Sequence, residues 1–198
     1  MPCPVVEQEM TPADQRQFPP LAITLRNGTP VVIRPLAETD GAALAQFYAG
    51  IPPEDVLFYC PHPLTREYAF KNAAQAASPT EVVLVMETTG GTIGGYAWYR
   101  WSADAAVSCF GICVARSCQG AGAGQQLMSR LLAVARKVGP PVMSLTVQKK
   151  NPKGVELYAK MGFRVIREQF RAADGEPEFH MELRVREFAD GSGPVTHG

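Results

Sequence analysis

Gln119-Gly120-Ala121-Gly122-Ala123-Gly124 follows the apolar run Ala105 to Val114, and Leu127, Leu131, Val134 and Val138 come directly after it at helical spacing. A strand, a glycine loop and an amphipathic helix therefore stand in series. Glycines on alternate residues clear side chains from a place where backbone N–H groups can converge. The first turn of the helix adds unpaired donors and a positive dipole end. This arrangement predicts a phosphate or pyrophosphate site, with a flexible turn as the plain alternative. A nucleotide-hydrolysing P-loop would need Gly-Lys-Ser/Thr at its end, and Gly124 is followed by Gln125-Gln126. A dinucleotide loop belongs in the first strand–helix unit with an acidic residue ending the second strand. Here the loop lies past the midpoint, and Val142 to Val147 ends without one.

Working outward, Gly139-Pro140-Pro141 stops the helix and Val142 to Val147 reads as a strand. Asn151-Pro152 opens a second helix with a capping residue and proline at its first position. That helix ends at Gly162, Phe163 to Ile166 begins another strand, and Phe179 to Leu183 closes the pattern beyond Asp174-Gly175. Upstream, Leu21 to Leu25 and Val31 to Arg34 flank Asn27-Gly28 as a hairpin. Thr39 or Asp40 caps a helix carrying Leu44, Phe47, Tyr48 and Ile51. Ile51 to Pro79 is weakly patterned, with Leu64-Thr65 opening a short helix. Glu81 to Met86, Thr92 to Trp101 and Ala105 to Val114 then form an antiparallel meander. Strands that first dominate and then alternate with helices imply a mixed sheet with helices on its faces.

The chain has 198 residues, 19 basic and 19 acidic side chains, and 46% hydrophobic residues, which fits one domain with no basic excess to neutralise polyanions. Nucleic acid and membrane surfaces are thus disfavoured as partners. Met1 to Pro20 reads as a proline-rich extension without a signal-peptide core, residues 21–186 as the domain and 187–198 as a tail. No run approaches the roughly 20 apolar residues of a membrane helix. The cytoplasm is the expected compartment. Cys3, Cys60, Cys109, Cys113 and Cys118 form no Cys-x-x-Cys pair. Cys109, Cys113 and Cys118 are expected as buried structural thiols, zinc being the competing reading.

Val114 to Gly124 resembles motif A of the GNAT acetyltransferases, whose Arg/Gln-x-x-Gly-x-Gly/Ala pattern is met by Gln119, Gly122 and Gly124. Asn151, Tyr158 seven residues later, and Gly162-Phe163 are similar to the family's second motif, at one helix and one strand's remove. The resemblance runs from about Leu25 to Leu183. It implies an α/β (mixed α+β) acyl-CoA N-acyltransferase fold with a central mixed, mostly antiparallel sheet of about six to seven strands and helices on both faces. It also implies acetyl-CoA as cosubstrate, with no metal, in a V-shaped opening between the strands Ala105 to Val114 and Val142 to Val147. Ile112, Cys113 and Val114 would hold the pantetheine arm by their backbone. Gln119, Gly120, Ala121, Gly122, Ala123 and Gly124 would take the pyrophosphate on their amides, and Asn151 would reach the pantetheine or simply cap its helix.

By the same resemblance Tyr158 is the catalytic proton or hydrogen-bond donor to the departing thiolate. Its alternative role is packing on the apolar face of its helix. Many relatives carry a glutamate on the strand before motif A, at the position that is Cys109 here. The general base is therefore open among Asp104, Glu178, His180 and a water chain. The expected reaction is direct acetyl transfer to a primary amine. The lead-in Leu25 to Pro35 is similar to that of bacterial protein-lysine acetyltransferases, so the acceptor is a small-molecule amine or a protein lysine. A non-catalytic acyl-CoA sensor is the reading from another class. Phe58, Tyr59, His62 and Tyr68 line an acceptor pocket or pack, and a homodimer is possible.

Overall fold

The computed structural model describes residues 18–56, 58, 62–102 and 105–185. Strands β1 (Leu21–Thr24) and β2 (Pro30–Pro35) pair antiparallel through a turn in which Gly28 takes φ +85° and Leu25 donates its N–H to Thr29 O at 2.8 Å. A 3-10 turn at Glu38–Asp40 leads into α1 (Gly41–Ala49). Asp40 does not cap α1 through its side chain. It takes a two-pronged grip from Arg34 of β2, at 2.7 and 2.9 Å, while Arg34 Nε donates to Glu87 at 2.7 Å. The weakly patterned region contains α2 (Pro53–Val56) and α3 (Arg66–Ala74), the latter capped by Thr65, whose hydroxyl accepts from Tyr68 N–H.

The meander is β3 (Glu81–Thr88), β4 (Ile93–Arg100) and β5 (Val107–Val114). After the glycine loop come α4 (Ala123–Ala135), β6 (Val142–Gln148), α5 (Pro152–Lys160), β7 (Arg164–Phe170) and β8 (Pro177–Arg184). All strands join one eight-stranded sheet in the order β1-β2-β3-β4-β5-β6-β8-β7, a larger sheet than the six to seven strands expected. Every neighbouring pair is antiparallel except β5–β6.

That parallel pair decides the site. Its register covers only Val107↔Val142, Ser108↔Met143 and Cys109↔Ser144, although both strands continue, β5 to Val114 and β6 to Gln148. The joined end is stitched by two side chains: Ser144 Oγ donates to Ser108 O at 2.9 Å, and Ser108 Oγ donates to Val142 O at 3.0 Å. Beyond it the strands part.

Helices cover both faces. On one, Leu127, Met128, Leu131 and Leu132 of α4, all fully buried, pack with Leu84, Met86, Ala97, Tyr99, Phe110, Met143 and Leu145. Each such side chain contributes about 1.5–3 kcal/mol of transfer free energy. On the other, Leu44, Phe47, Tyr48 and Ala69 of α1 and α3 pack with Val83, Val85, Tyr96 and Trp98. This second face continues over β5, β6 and β8 through Cys109, Ser144 and Glu182, which are paired across the strands and exposed or half-buried. The expected burial of the three thiols thus holds for Cys118 alone. Cys113 is half-buried, and Cys109 is exposed because its side of β5 lies past the edge of the α1/α3 layer.

Candidate functional site

The loop between β5 and α4 turns on glycines with positive φ. Gly120 and Gly122 adopt φ of +73° and +90°, a region costly for residues with a Cβ. Gly122 is the N-cap of α4 and offers no side chain to the orphan amides. Among the described residues, the N–H groups of Gly120 through Gln125 donate to no protein acceptor, and intrahelical bonding starts with Gln126 N–H to Gly122 O at 3.0 Å. Six consecutive amides and a helix N-terminus are thus left without a protein acceptor among the described residues. The Gln119 amide, expected in this set, is instead spent within the turn on Ala115 O and Arg116 O, both at 3.2 Å. Gln119 acts through its side chain, whose Nε2 donates to Val114 O at 3.1 Å and fixes the loop to the end of β5. Gly124 has a packing reason: a Cβ there would sit 3.3 Å from Leu157 of α5.

Ile112, Cys113 and Val114 pair with Ala97, Tyr96 and Gly95 of β4 on one side and, among the described residues, with no strand on the β6 side. Their backbone is therefore open to a guest that hydrogen-bonds as a strand does. Asn151 caps α5, its Oδ1 accepting from Gly154 N–H at 3.0 Å. Tyr158 is half-buried and stands edge-on to Phe110 with ring centroids 5.9 Å apart, and it also meets Phe163 at 6.0 Å. Among the described residues its hydroxyl has no hydrogen-bond partner. Burial, then the neighbouring Cys113, push its pKa above the ordinary phenol value. Burial, with the charge of Asp55, likewise pushes the Cys113 thiol up to about 12. Both groups stay protonated at neutral pH.

On the α1/α3 face, His180 Nε2 lies 3.1 Å from Glu182 Oε1, and Glu182 pairs with Ser144, itself paired with Cys109. Glu178 is buried and accepts from Gln169 Nε2 at 2.7 Å. Asp104 lies outside the described residues, as does Tyr59. His62 and Tyr68 stack at 4.1 Å, Asn72 Nδ2 donates to the hydroxyls of Tyr48 and Tyr96, and burial lowers the His62 pKa to about 4. These aromatics pack together, while Phe58 is exposed. Sequence reasoning missed two features. Arg116, just past β5, binds Asp55 of α2 through two bonds of 2.8 and 3.0 Å and also Glu54 at 2.9 Å. A cavity of about 490 Å³ opens beside Tyr68, Lys71, Glu81 and Arg100, the last being the cross-strand partner of Cys109. Neither shows in periodicity, since both join residues far apart in the chain. No cluster of three metal-ligating side chains occurs among the described residues, and no helix there is long and apolar enough to cross a membrane.

Comparison with known proteins agrees with this geometry. The profile of the Acetyltransferase (GNAT) family matches residues 44–163. No curated protein sequence matches the chain. Among solved structures, the GNAT domain of S. lividans PAT shares 22% identity at a TM-score of 0.69, covering 83% of this chain and 96% of its own. The ribosomal-protein-S5-alanine acetyltransferase of Vibrio fischeri shares 12% at 0.70, covering 85% and 99%. YncA of Salmonella typhimurium, solved with its cofactor acetyl-CoA, shares 22% at 0.63, covering 84% and 99%.

Proposed function

The chain belongs to the GNAT family of acetyltransferases, and we propose that it transfers an acetyl group from acetyl-CoA directly to a primary amine approaching over the exposed face of β5, β6 and β8. The observation that carries this reading is the conjunction of parted parallel strands with the unclaimed amides of Gly120 to Gln125. Those features fit the two ends of the cosubstrate: a peptide-like pantetheine arm beside Ile112 to Val114 and a pyrophosphate on the loop.

Acetyl-CoA supplies a thioester carbonyl open to nucleophilic attack. The protein's part begins with the acceptor, since an alkyl ammonium of pKa about 10.4 must lose a proton at a cost of roughly 4 to 5 kcal/mol at pH 7. We assign that proton to the His180–Glu182 pair, reached directly or through water, because it shares the sheet face with Cys109. Glu178 is held by Gln169 and is the poorer candidate. Tyr158 serves the departing sulfur. Because its surroundings disfavour phenolate, it acts as a hydrogen-bond donor to the developing thiolate, which takes its proton from solvent. The raised Cys113 pKa keeps that thiol protonated and argues against Cys113 as an acetyl carrier.

The acceptor is a small amine or a protein lysine, selected by the α2 region and the hollow beside Arg100. The test is calorimetric titration with acetyl-CoA followed by thiol release over a panel of amines and lysine-bearing proteins. Binding with acceptor-dependent thiol release is expected. Binding without release on any acceptor would favour a sensor, and no binding would overturn the proposal.

A further inference from the structure

Arg26 stands beside the glycine loop although it lies nearly a hundred residues before it. Its backbone N–H donates to Ala121 O at 3.0 Å, and its guanidinium occupies the space over Gly122: a Cβ built there would sit 3.1 Å from Arg26 Nε and 3.5 Å from Nη2. This placement is built rather than incidental. Leu25 is 4% exposed within the α4 core, and the turn after Arg26 closes through Leu25 N–H to Thr29 O and Gly28 N–H to Leu25 O. Asn27 Oδ1 accepts from Thr29 N–H at 3.2 Å and stiffens the same turn. Arg26 is exposed and forms no salt bridge among the described residues. Its charge is thus uncommitted next to a run of amides without a protein acceptor.

We infer that Arg26 is the side-chain cation of the pyrophosphate site, closing over the glycine loop from the β1–β2 turn. The inference rests on the acetyl-CoA reading of that loop. A planar guanidinium can bridge two phosphate oxygens, adding charge and geometric selection that neutral amides lack. It also explains how a chain with 19 basic and 19 acidic residues can hold a strongly anionic ligand, one cation being delivered where the dipole end already favours negative charge. The absence of a Cβ at Gly122 then has a second cause besides its φ, since it leaves room for the guanidinium.

The test is calorimetry of wild type, Arg26→Ala and Arg26→Lys with CoA, dephospho-CoA, S-acetylpantetheine and inorganic pyrophosphate. Loss of one charge-assisted contact predicts that Arg26→Ala weakens CoA and dephospho-CoA alike by about ten- to a hundredfold. S-acetylpantetheine should be unaffected and the melting temperature unchanged, with Arg26→Lys recovering part of the loss. Equal affinities in wild type and Arg26→Ala would overturn the assignment. Weakening for CoA with none for dephospho-CoA would overturn it too, moving the contact to the 3′-phosphate. Pyrophosphate bound by wild type and lost in Arg26→Ala, with CoA bound by neither, would keep the anion site and sink the acetyl-CoA reading; no binding of either anion by wild type would overturn both.

Discussion

Cys109 and Ser144 are the last residues joined across β5 and β6, and the opening begins immediately beyond them. Its apex is set by Ser108 and Ser144, whose hydroxyls each donate to a carbonyl on the opposite strand. Removing each hydroxyl should cost about 1 kcal/mol. The Ser108→Ala/Ser144→Ala double variant should melt several degrees lower and bind acetyl-CoA more weakly, because the strands proposed to hold the pantetheine arm would no longer diverge from a fixed point. Thermal denaturation and calorimetry check this; an unchanged affinity would show that the apex does not set the opening.

Gly122→Ala should strain the loop twice, through φ of +90° and through the Arg26 guanidinium. The stability loss is about 1 kcal/mol, and CoA affinity should fall at least about tenfold by the loss of the proposed amide and arginine contacts. Gly175→Ala is the control. Gly175 has φ of +71° with nothing within 4 Å of a Cβ, so that variant should share the backbone strain and keep its CoA affinity.

Tyr158→Phe should leave CoA affinity near wild type and lower kcat by about ten- to a hundredfold, as expected for a group that acts on the leaving sulfur. Phenylalanine preserves the edge-on contact with Phe110, so stability should change little. A proportional loss of CoA binding would identify Tyr158 as a packing residue.

His62 gives the fold a pH dependence. Its folded pKa, lowered by burial to about 4, lies below the unfolded value of about 6.5. Its contribution is thus fully present above pH 6.5, falls as the unfolded chain takes up a proton, and is gone below about pH 4. Wild type should lose stability between these limits, by up to about 3 kcal/mol for a shift of this size. A His62→Phe variant should show a shallower slope in denaturant titrations across that range.

The glycine loop and the flanking helices were legible because each depends on neighbours in sequence. Gly122 needs positive φ, Asn151 caps the amide of Gly154, and the apolar positions of α4 repeat at 3.6 residues. The exposure of Cys109 was not legible: alternation along β5 says which residues share a face, not where the overlying helices stop. Arg26 over Gly122, Arg116 on Asp55 and Asn72 between two tyrosines join residues far apart in the chain, and nothing local encodes them. Tyr158 sits between these cases. Resemblance singled it out, and the structure adds its ring contacts with Phe110 and Phe163 and the burial that, with Cys113 beside it, keeps its hydroxyl protonated.

The position of β8 between β6 and β7 has a consequence for biosynthesis. β7 leaves the ribosome before β8 and has no sheet neighbour until β8 arrives to pair with both flanking strands. During that interval β6 presents an open edge, and β7 carries the exposed side chains Val165, Ile166 and Phe170. Nascent chains stalled between Phe170 and Pro177 are therefore the species most exposed to strand-edge association, and completion of the half-sheet behind the candidate acceptor face is a late, post-β8 event.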